Sequence, residues 1–473
     1  MNRTPVVFIV LGLIAACVVD AETAADSPPE ARAVRMSGTY FAAGAYAENP
    51  SLLEKNKGAG RASLSLHYQR LRILTAFRVS EGLTLTTRCD ALETVWGAGE
   101  QAPVASSDTA HPEQNISFEQ TYVTFRTAAG VFLVGTQDFG TFGTEVLNSE
   151  TVASYSGIKY ILPLGSLTLA AAFRRNTEGV GLTTDGGGAS DVDADVYYLT
   201  GIYRGQNWEA GLLYEYVRNA VFKPLAGPIP TAPDGPYLST LHVFLPYARL
   251  TAGRLSLEAE GAYATGGWRT YERPTVAASV PDVTAETYAL YVGAKITLGP
   301  AYLGGIFLYG RGDDYGTANR QEGGFAELLA AGGDFNPCLI FMNYWYTTRI
   351  GALTPASGGN AKSYFNDNLW LYQVYGGFMP ADRLELRASY TLAVADKKPR
   401  TTKGLPLSAA NREFVGDRYG SEVDFTAAYM IYDNLEYLVG AAYFFTGDYF
   451  KGDDLNAVTA DTYLLIHRLT LTF

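Results

Sequence analysis

The carboxy-terminal segment of the chain alternates apolar and polar positions with a period of two. Its apolar face ends on an aromatic residue and consists of Tyr463, Leu465, Leu469, Leu471 and Phe473. The intervening positions 468, 470 and 472 carry Arg or Thr. Because side chains two residues apart lie on one face of a strand, the segment predicts a strand with one apolar face. A last strand of this kind is typical of a barrel that closes in an outer membrane.

The same alternation recurs along the chain, in segments joined by short turns and by long polar connections in turn. Gly, Pro, Asn and Asp occupy the short turns, for example at 129–130, 164–165 and 299–300, and supply the backbone angles that a tight hairpin needs. The long connections lie near 96–114, 178–191, 219–236, 266–282, 312–366 and 396–416. The pattern predicts an all-β fold, a transmembrane outer-membrane β-barrel of about 18 antiparallel strands (16–18), with long external loops and short periplasmic turns.

One predicted strand, 62–79, changes the parity of its apolar positions. They are even-numbered at Leu64 and Leu66 and odd-numbered at Leu71 and Ile73. Because one extra residue in a strand shifts the parity of all that follow, we expect a β-bulge near Arg70.

The first 21 residues have the composition of a secretory signal peptide, with Arg3 followed by an apolar core. The core is about 14 residues long, too short for a membrane-spanning helix of roughly 20. Cleavage after Ala21 would leave 22–35 as a periplasmic tail and 36–473 as the barrel. An alternative is a lipoprotein processing site in which Cys17 becomes the lipidated first residue. Both alternatives take the mature chain out of the cytoplasm.

Composition excludes several classes of protein. The formal net charge is −12, so no basic surface for nucleic acid is expected. No apolar run after the signal reaches the roughly 18 residues of a spanning helix. The 33 Tyr residues suit aromatic girdles, where a ring and a hydroxyl meet the two sides of a membrane boundary.

The sequence offers no motif for a metal, a cofactor or a catalytic group. Its three cysteines, Cys17, Cys89 and Cys338, form no Cys-x-x-Cys pair, and its four His residues are scattered. Zinc and covalent haem sites therefore have no support, and a disulfide between Cys89 and Cys338 stays open. We predict a protein that is not an enzyme and has no metal site and no cofactor.

Strand parity also sorts the charged residues between lipid and lumen. An Arg or Lys on the lipid face at mid-membrane would cost about 2–4 kcal/mol, so charges of the opposite parity are expected inside. The predicted pore-lining residues are Arg72, Arg78, Arg88, Asp90, Arg174, Glu209, Glu215, Glu258, Glu260, Lys295, Glu385, Arg387, Glu422, Asp424, Glu436 and Arg468. The alternative for any one of them is that it only solvates or pairs on the inner wall. His467 is the exception, because its parity places it on the lipid face.

The predicted wall carries mixed charge, with basic residues on the early strands and carboxylates on the middle and late ones. Charged rings that line a pore set its ion preference. A nearly balanced wall favours weak selectivity, and we expect a slight cation preference with passage of small hydrophilic solutes.

The longest connection, 312–366, is unusually apolar for an external loop. It contains a candidate short helix at 324–330 and the apolar run 338–346. A loop this apolar must bury itself somewhere. The sequence leaves three arrangements open: the loop folds into or across the barrel mouth, packs against neighbouring loops, or extends two strands above the membrane.

Several stretches resemble the alginate-export-like family of bacterial outer-membrane porins. They are 68–72, 88–97, 118–125, 420–424, 432–434 and 446–448. The resemblance implies a channel with both chain termini in the periplasm and a barrel of about 18 strands. The family's namesake passes a polyanionic polysaccharide through a pore rich in Arg and Lys. Carboxylates such as Glu209, Glu258 and Glu422 would repel that solute, so only the fold and the channel role are carried over.

We therefore expect a passive porin in the outer membrane of a Gram-negative bacterium. Its expected partners are outer-membrane lipid and lipopolysaccharide, small hydrophilic solutes, and the barrel-insertion machinery, which would recognise Phe473. Three alternatives are an alginate-type polysaccharide export channel, an outer-membrane hydrolase, and a barrel sheath for an electron-transfer partner. A hydrolase would need a Ser and a His positioned together, and a sheath would co-purify with a cytochrome.

Overall fold

A computed structural model describes residues 33–56, 63–97, 116–139, 141–144, 146–147, 154–178, 192–222, 236–271, 280–323 and 335–473. The predicted signal peptide and the candidate helix at 324–330 lie outside these residues. Among the helices of the described ranges, none is long and apolar enough to cross a membrane.

The described chain folds into a single antiparallel barrel of 18 strands, with one additional two-residue strand, β14, paired in parallel to β12. The strands are β1 (Val34–Glu48), β2 (Ser63–Ser80), β3 (Leu83–Val95), β4 (Ile116–Thr127), β5 (Gly130–Gln137), β6 (Tyr155–Leu164), β7 (Leu167–Thr177), β8 (Ala194–Arg204), β9 (Trp208–Asn219), β10 (Tyr237–Ala252), β11 (Leu255–Tyr271), β12 (Val283–Leu298), β13 (Ala301–Gly310), β14 (Arg320–Gln321), β15 (Leu369–Ala381), β16 (Leu384–Val394), β17 (Arg418–Tyr432), β18 (Leu435–Thr446) and β19 (Thr462–Thr472). Short 3-10 helices lie at Glu54–Asn56 and Asp448–Lys451, and one α-helix, α1, spans Tyr344–Arg349.

Each barrel strand pairs with its neighbours in the chain, and the ends of the chain pair with each other. β1 pairs with β19 from Thr39 opposite Thr472 to Glu48 opposite Tyr463. This last ladder closes the sheet, so that each of the 18 described barrel strands is paired on both edges. Glycines with positive φ, such as Gly165 at 66° and Gly299 at 66°, form the tight hairpin turns.

Every barrel strand expected from the alternation is present, so the predicted fold class is confirmed. The alternation identified strands well because each one has a lipid face to keep apolar. β14 was missed, since two residues are too few to show a period.

The expected irregularity near Arg70 exists, but the extra residue lies on the neighbouring strand. The pairing of β2 with β3 shifts between Gln69 and Leu71, whereas β1 pairs with β2 without interruption. Two steps along β2 oppose three along β3, where Leu92 has a φ of 55°. β2 itself therefore has no extra residue, and the expected bulge near Arg70 lies on β3. The apolar residues Leu64 and Leu66 lie instead on the inward-facing side of β2.

The outer surface of the barrel is apolar at alternate positions. On β11, the residues Leu257 and Tyr263 are exposed, whereas Glu260, of the opposite parity, is buried inside. His467 lies on the outer face, as its parity predicts: its ring is 5.6 Å from the His67 ring across Gly44. Aromatic partners, such as Trp96 stacked on His67, surround these histidines.

We predict that Gly38→Ala destabilises the barrel at its closing seam. The backbones of Gly38 and Phe473 exchange two hydrogen bonds, of 2.7 and 3.0 Å. A Cβ at Gly38 would lie 2.4 Å from the Arg72 carbonyl oxygen and 2.7 Å from the Phe473 ring. We expect a loss of about 1–3 kcal/mol in the free energy of unfolding, typical of overpacking.

Urea titration read by heat-modifiable gel migration measures this loss. The matched control is Gly305→Ala, where the nearest atom to the new Cβ is 3.5 Å away. Equal urea midpoints for the two variants would contradict the prediction.

Candidate functional site: the barrel lumen

Two segments of the chain fold into the barrel and cover its inner wall. The first inner segment is the described part of 138–147, which follows β5. The second inner segment is 335–353, which precedes β15 and contains α1. Both are rich in buried apolar residues, such as Phe139, Leu147 and Phe341, which pack against the inner wall and so leave water.

The first inner segment extends from β5 across the inner face to β11. Its Phe139 ring lies 6.0 Å from that of Tyr198, and Phe142 lies 5.0 Å from Tyr247 in an edge-to-face contact. At its far end the backbone N–H of Thr144 donates to the Glu260 carboxylate at 2.9 Å, and the Thr144 hydroxyl donates to the same oxygen. A buried acid on the wall therefore holds this segment in place.

The second inner segment begins with a tight turn that two asparagines stabilise. Asn343 is the N-cap of α1 and accepts the backbone N–H of Tyr346 at 2.8 Å, which satisfies one of the free donors at the helix start. Its side-chain amide also donates to the Cys338 carbonyl at 2.8 Å. Asn336 accepts the N–H of Tyr344 at 2.6 Å. The turn thus fixes the direction in which α1 begins.

Glu422 of β17 is the main anchor of this turn. Its carboxylate accepts the backbone N–H groups of Leu339 at 3.1 Å, Ile340 at 2.8 Å and Phe341 at 2.8 Å. Asp424, two residues further along the same face, accepts the Ser389 hydroxyl at 2.9 Å. Backbone donors that would otherwise be buried without a partner each find an acceptor here. The acids of β17 therefore hold irregular backbone inside the barrel.

The helix end of the second inner segment packs on the opposite side of the closing seam. The Trp345 ring lies 5.1 Å from Phe41 of β1 and 6.0 Å from Tyr68 of β2, and the Arg70 guanidinium lies 5.1 Å from its centroid. Arg349 then forms an ion pair with Glu93 of β3 in which both side chains are buried. The segment thus contacts the wall from β17 through β1 to β3.

A cavity of about 430 Å³ remains between the second inner segment and the wall. Charged side chains line it from both sides. They are Arg349, Glu385, Arg387, Asp424, Glu436 and Arg468. A cavity of this size with charged lining is large enough to hold several water molecules.

The structure divides the residues that were predicted to line the pore into two groups. The first group is buried in the wall or under the inner segments and consists of Arg88, Asp90, Arg174, Glu215, Glu260, Glu422 and Asp424. The second group keeps part of its surface exposed and consists of Arg72, Arg78, Glu209, Glu258, Lys295, Glu385, Arg387, Glu436 and Arg468. Strand parity does not reveal the chain that covers the first group, and pore lining stays a prediction for both groups.

Charges on the wall pair mostly with neighbouring strands. Arg72 and Asp90, opposite each other on β2 and β3, are 2.6 Å apart. Glu258 accepts the Tyr291 hydroxyl at 2.5 Å and lies 3.8 Å from Arg249. Such local pairs weaken any transverse field between a basic and an acidic wall.

The remaining predicted residues contact aromatic rings or the charge next to them. Arg174 lies over Tyr155 at 4.3 Å, Lys295 over Tyr302 at 4.3 Å and Arg387 over Tyr375 at 5.0 Å. Tyr hydroxyls donate to Glu209 at 2.6 Å and to Glu385 at 2.5 Å. Glu436 and Arg468 are 4.0 Å apart. Tyrosines therefore orient much of the charge inside the barrel.

Sequence reasoning missed the residues that the inner segments contribute. Arg349, Trp345 and Thr144 lie in connections, where the period-two pattern gives no information. The apolar run 338–346 did signal burial, and of the three arrangements open to it the structure shows the fold into the barrel. The apolar run 338–346 was the one signal in the sequence from which contacts of this segment with the inner wall could have been inferred.

Cys338 and Lys362 are buried titratable residues outside the strands. Burial, and then the nearby carboxylates of Glu422 and Asp424, raise the pKa of the Cys338 thiol well above its ordinary value. Burial lowers the pKa of Lys362, and Asp367 opposes that shift. The Lys362 ammonium donates to the carbonyls of Phe365 at 2.7 Å and Asp367 at 2.6 Å, so it fixes the turn that leads into β15.

Comparison with known proteins finds the fold and no close relative. No protein-family model matches the chain, and no curated protein matches it. Among solved structures, OccK9 (OpdG) of Pseudomonas aeruginosa is 14% identical, and the match covers 93% of this chain and 98% of that one with a TM-score of 0.52. OccK8 (OprE) of the same organism is 13% identical, with coverages of 93% and 98% and a TM-score of 0.47.

A third match is OmpT, an outer membrane protein of Vibrio cholerae, at 10% identity. It covers 94% of this chain and 100% of its own, with a TM-score of 0.39. At such identities the likeness concerns the fold alone. The closed sheet and the match to OccK9 at a TM-score of 0.52 together give the chain the fold of an outer-membrane β-barrel of 18 strands.

We predict that Glu422→Gln loosens the second inner segment. An amide keeps one oxygen and turns a donor toward backbone N–H groups that are donors themselves. A buried donor left without a partner costs about 1–3 kcal/mol. We therefore expect Cys338 to react with a small water-soluble thiol reagent roughly tenfold faster in the folded variant.

The reaction is measured by mass spectrometry in a Cys89→Ser background. Glu436→Gln is the matched control, because that carboxylate is partly exposed and lies 4.0 Å from Arg468. An unchanged rate at Cys338 in Glu422→Gln would show that this acid does not hold the segment.

Proposed function

We propose that the protein is a porin-type channel in the outer membrane of a Gram-negative bacterium and passes small hydrophilic solutes by diffusion. The observation that carries this proposal is a closed barrel with an apolar outer face and a charged cavity of about 430 Å³ inside. Arg, Lys and Glu are stable on the inner face of a membrane barrel where they contact water. The predicted signal peptide, 1–21, is consistent with export.

The inner segments reduce the open cross-section and so favour small solutes over polymers. Chain folds over the wall from β5 to β11 and again from β17 to β3. We propose that the resemblance to the alginate-export-like family extends to the channel role and not to alginate as the solute. Glu258 and Glu385 remain on the accessible wall, where they oppose the passage of a polyuronate.

The geometry gives little support to a hydrolase or to a sheath around an electron-transfer partner. A hydrolase needs a Ser and a His in contact. In the described chain, His242 accepts or donates a hydrogen bond with Tyr214 at 2.8 Å, and His67 stacks on Trp96, both on the outer face. The lumen is partly filled by the protein's own chain, which leaves little room for the partner of a sheath.

Planar-bilayer recordings of refolded protein test the proposal. Stepwise conductance increments and passage of small sugars or amino acids in a liposome-swelling assay are expected. Heat-modified protein from the same preparation is the control. Absence of conductance from protein that migrates as a folded barrel would overturn the channel role.

We predict weak ion selectivity, set only by the second group of predicted pore-lining residues, which keep part of their surface exposed. Its basic members, Arg72, Arg78, Lys295, Arg387 and Arg468, nearly balance its acidic members, Glu209, Glu258, Glu385 and Glu436. The slight cation preference expected from the sequence rested on a charge count that included the buried carboxylates. Reversal potentials in a salt gradient should therefore lie close to zero.

The pair Glu258→Gln and Glu260→Gln separates exposed from buried charge. Glu258 is accessible, so its loss should shift the reversal potential toward anions. Glu260 is 1% exposed and holds Thr144, so its loss should change current noise more than selectivity. Equal shifts for the two variants, or strong anion selectivity with block by alginate, would contradict this assignment.

We also propose that the barrel-insertion machinery recognises the chain end at Phe473. Deleting Phe473 should lower the amount of folded protein in the outer membrane several-fold in cells, whereas Phe473→Tyr should not, because the aromatic end is kept. Refolding into detergent separates recognition from closure. If the deletion fails equally in detergent and in cells, the residue acts only through its contact with Gly38.

A further inference from the structure

The second inner segment brings a cysteine against two carboxylates of β17. The sulfur of Cys338 and one oxygen each of Glu422 and Asp424 all lie within 4.8 Å of one another. The three residues are 3%, 1% and 5% exposed. Sequence reasoning found no sign of this cluster, because β15 and β16 lie between Cys338 and the two acids along the chain.

The donor set is one that binds divalent transition metals. Cys thiolate sulfur and Asp or Glu carboxylate oxygen are each ligands of Zn²⁺, which usually takes four ligands in a tetrahedron. Metal-binding carboxylates are commonly held in place by further hydrogen bonds. Backbone N–H groups hold Glu422, and the Ser389 hydroxyl holds Asp424 at 2.9 Å. The ligand atoms are thus already oriented before any ion arrives.

A buried amide beside the sulfur provides an independent observation. The Gln373 side chain is 2% exposed, and its Nε2 lies 3.9 Å from the Cys338 sulfur and donates to the Thr391 hydroxyl at 2.8 Å. Its Oε1 is buried and has no hydrogen-bond partner among the described residues. A buried carbonyl oxygen without a partner is costly, so the amide next to the sulfur keeps an unused acceptor.

An ion can reach the cluster from the lumen. Cys338 and Asp424 both line the cavity of about 430 Å³ between the second inner segment and the wall. The path therefore does not require the barrel to unfold.

We propose that Cys338, Glu422 and Asp424 form a binding site for a divalent transition metal, with Zn²⁺ as the ion that fits the donor set. The bound ion joins the second inner segment to β17. This inference is independent of the proposed transport function, because it concerns an ion held inside the wall rather than a solute that passes.

The test uses the full chain folded in detergent, stripped with a chelator and titrated with Co²⁺ and then Zn²⁺. A thiolate bound to Co²⁺ gives an intense near-ultraviolet charge-transfer absorption that carboxylates alone do not give. We expect one equivalent of Co²⁺ to produce this absorption and Zn²⁺ to remove it. Cys338→Ser should abolish the absorption and weaken Zn²⁺ binding at least about tenfold.

Cys89→Ser is the matched control and should bind as the wild type does, because Cys89 lies on β3, away from the cluster. Asp424→Asn keeps the shape of the side chain and should weaken Zn²⁺ binding while heat-modifiable migration shows a folded barrel. Absence of the absorption in folded wild type, or its persistence in Cys338→Ser, would overturn the proposal. Anomalous scattering from a Zn²⁺-soaked crystal at Cys338 would support it, and a peak only elsewhere would also overturn it. Both readouts are independent of conductance.

Discussion

The ladder between β1 and β19 is the interaction on which the rest of this structure depends. In lipid, an unpaired backbone N–H or carbonyl has no water to replace its partner, so a sheet survives there only if it closes. Pairing from Thr39 with Thr472 to Glu48 with Tyr463 supplies that closure. The hairpin pairing of neighbouring strands meets the same requirement, whereas the apolar outward face follows from contact with lipid.

Inside the barrel a different constraint applies. The inner segments are irregular backbone, and their free N–H groups need acceptors. Buried acids on the wall provide them: Glu260 accepts from Thr144, and Glu422 accepts from three consecutive residues that end at Phe341. Some carboxylates that strand parity assigns to the pore lining thus hold the inner segments, which narrow the pore, in place.

The barrel could be predicted from sequence because its rule is local. Alternation at period two distinguishes lipid-facing from lumen-facing positions one strand at a time, and the strand at 435–446 shows this pattern clearly. Whether a lumen residue meets water depends on distant parts of the chain, and the rule contains no information about that. Glu258 and Glu260 illustrate the difference, since they share a strand and a parity, yet only Glu260 is covered by the first inner segment. The bulge on β3 was misplaced for a similar reason, because register is a property of two strands together.

The second inner segment crosses the joint between the two ends of the chain. It is bonded to Glu422 on one side, and on the other Trp345 packs on Phe41 and Tyr68. To part β1 from β19 sideways into the membrane would mean breaking these contacts as well as the ladder. The second inner segment, which narrows the lumen, therefore also holds β1 and β19 together from the inside. The wall is harder to open at this seam as long as the segment stays in the barrel.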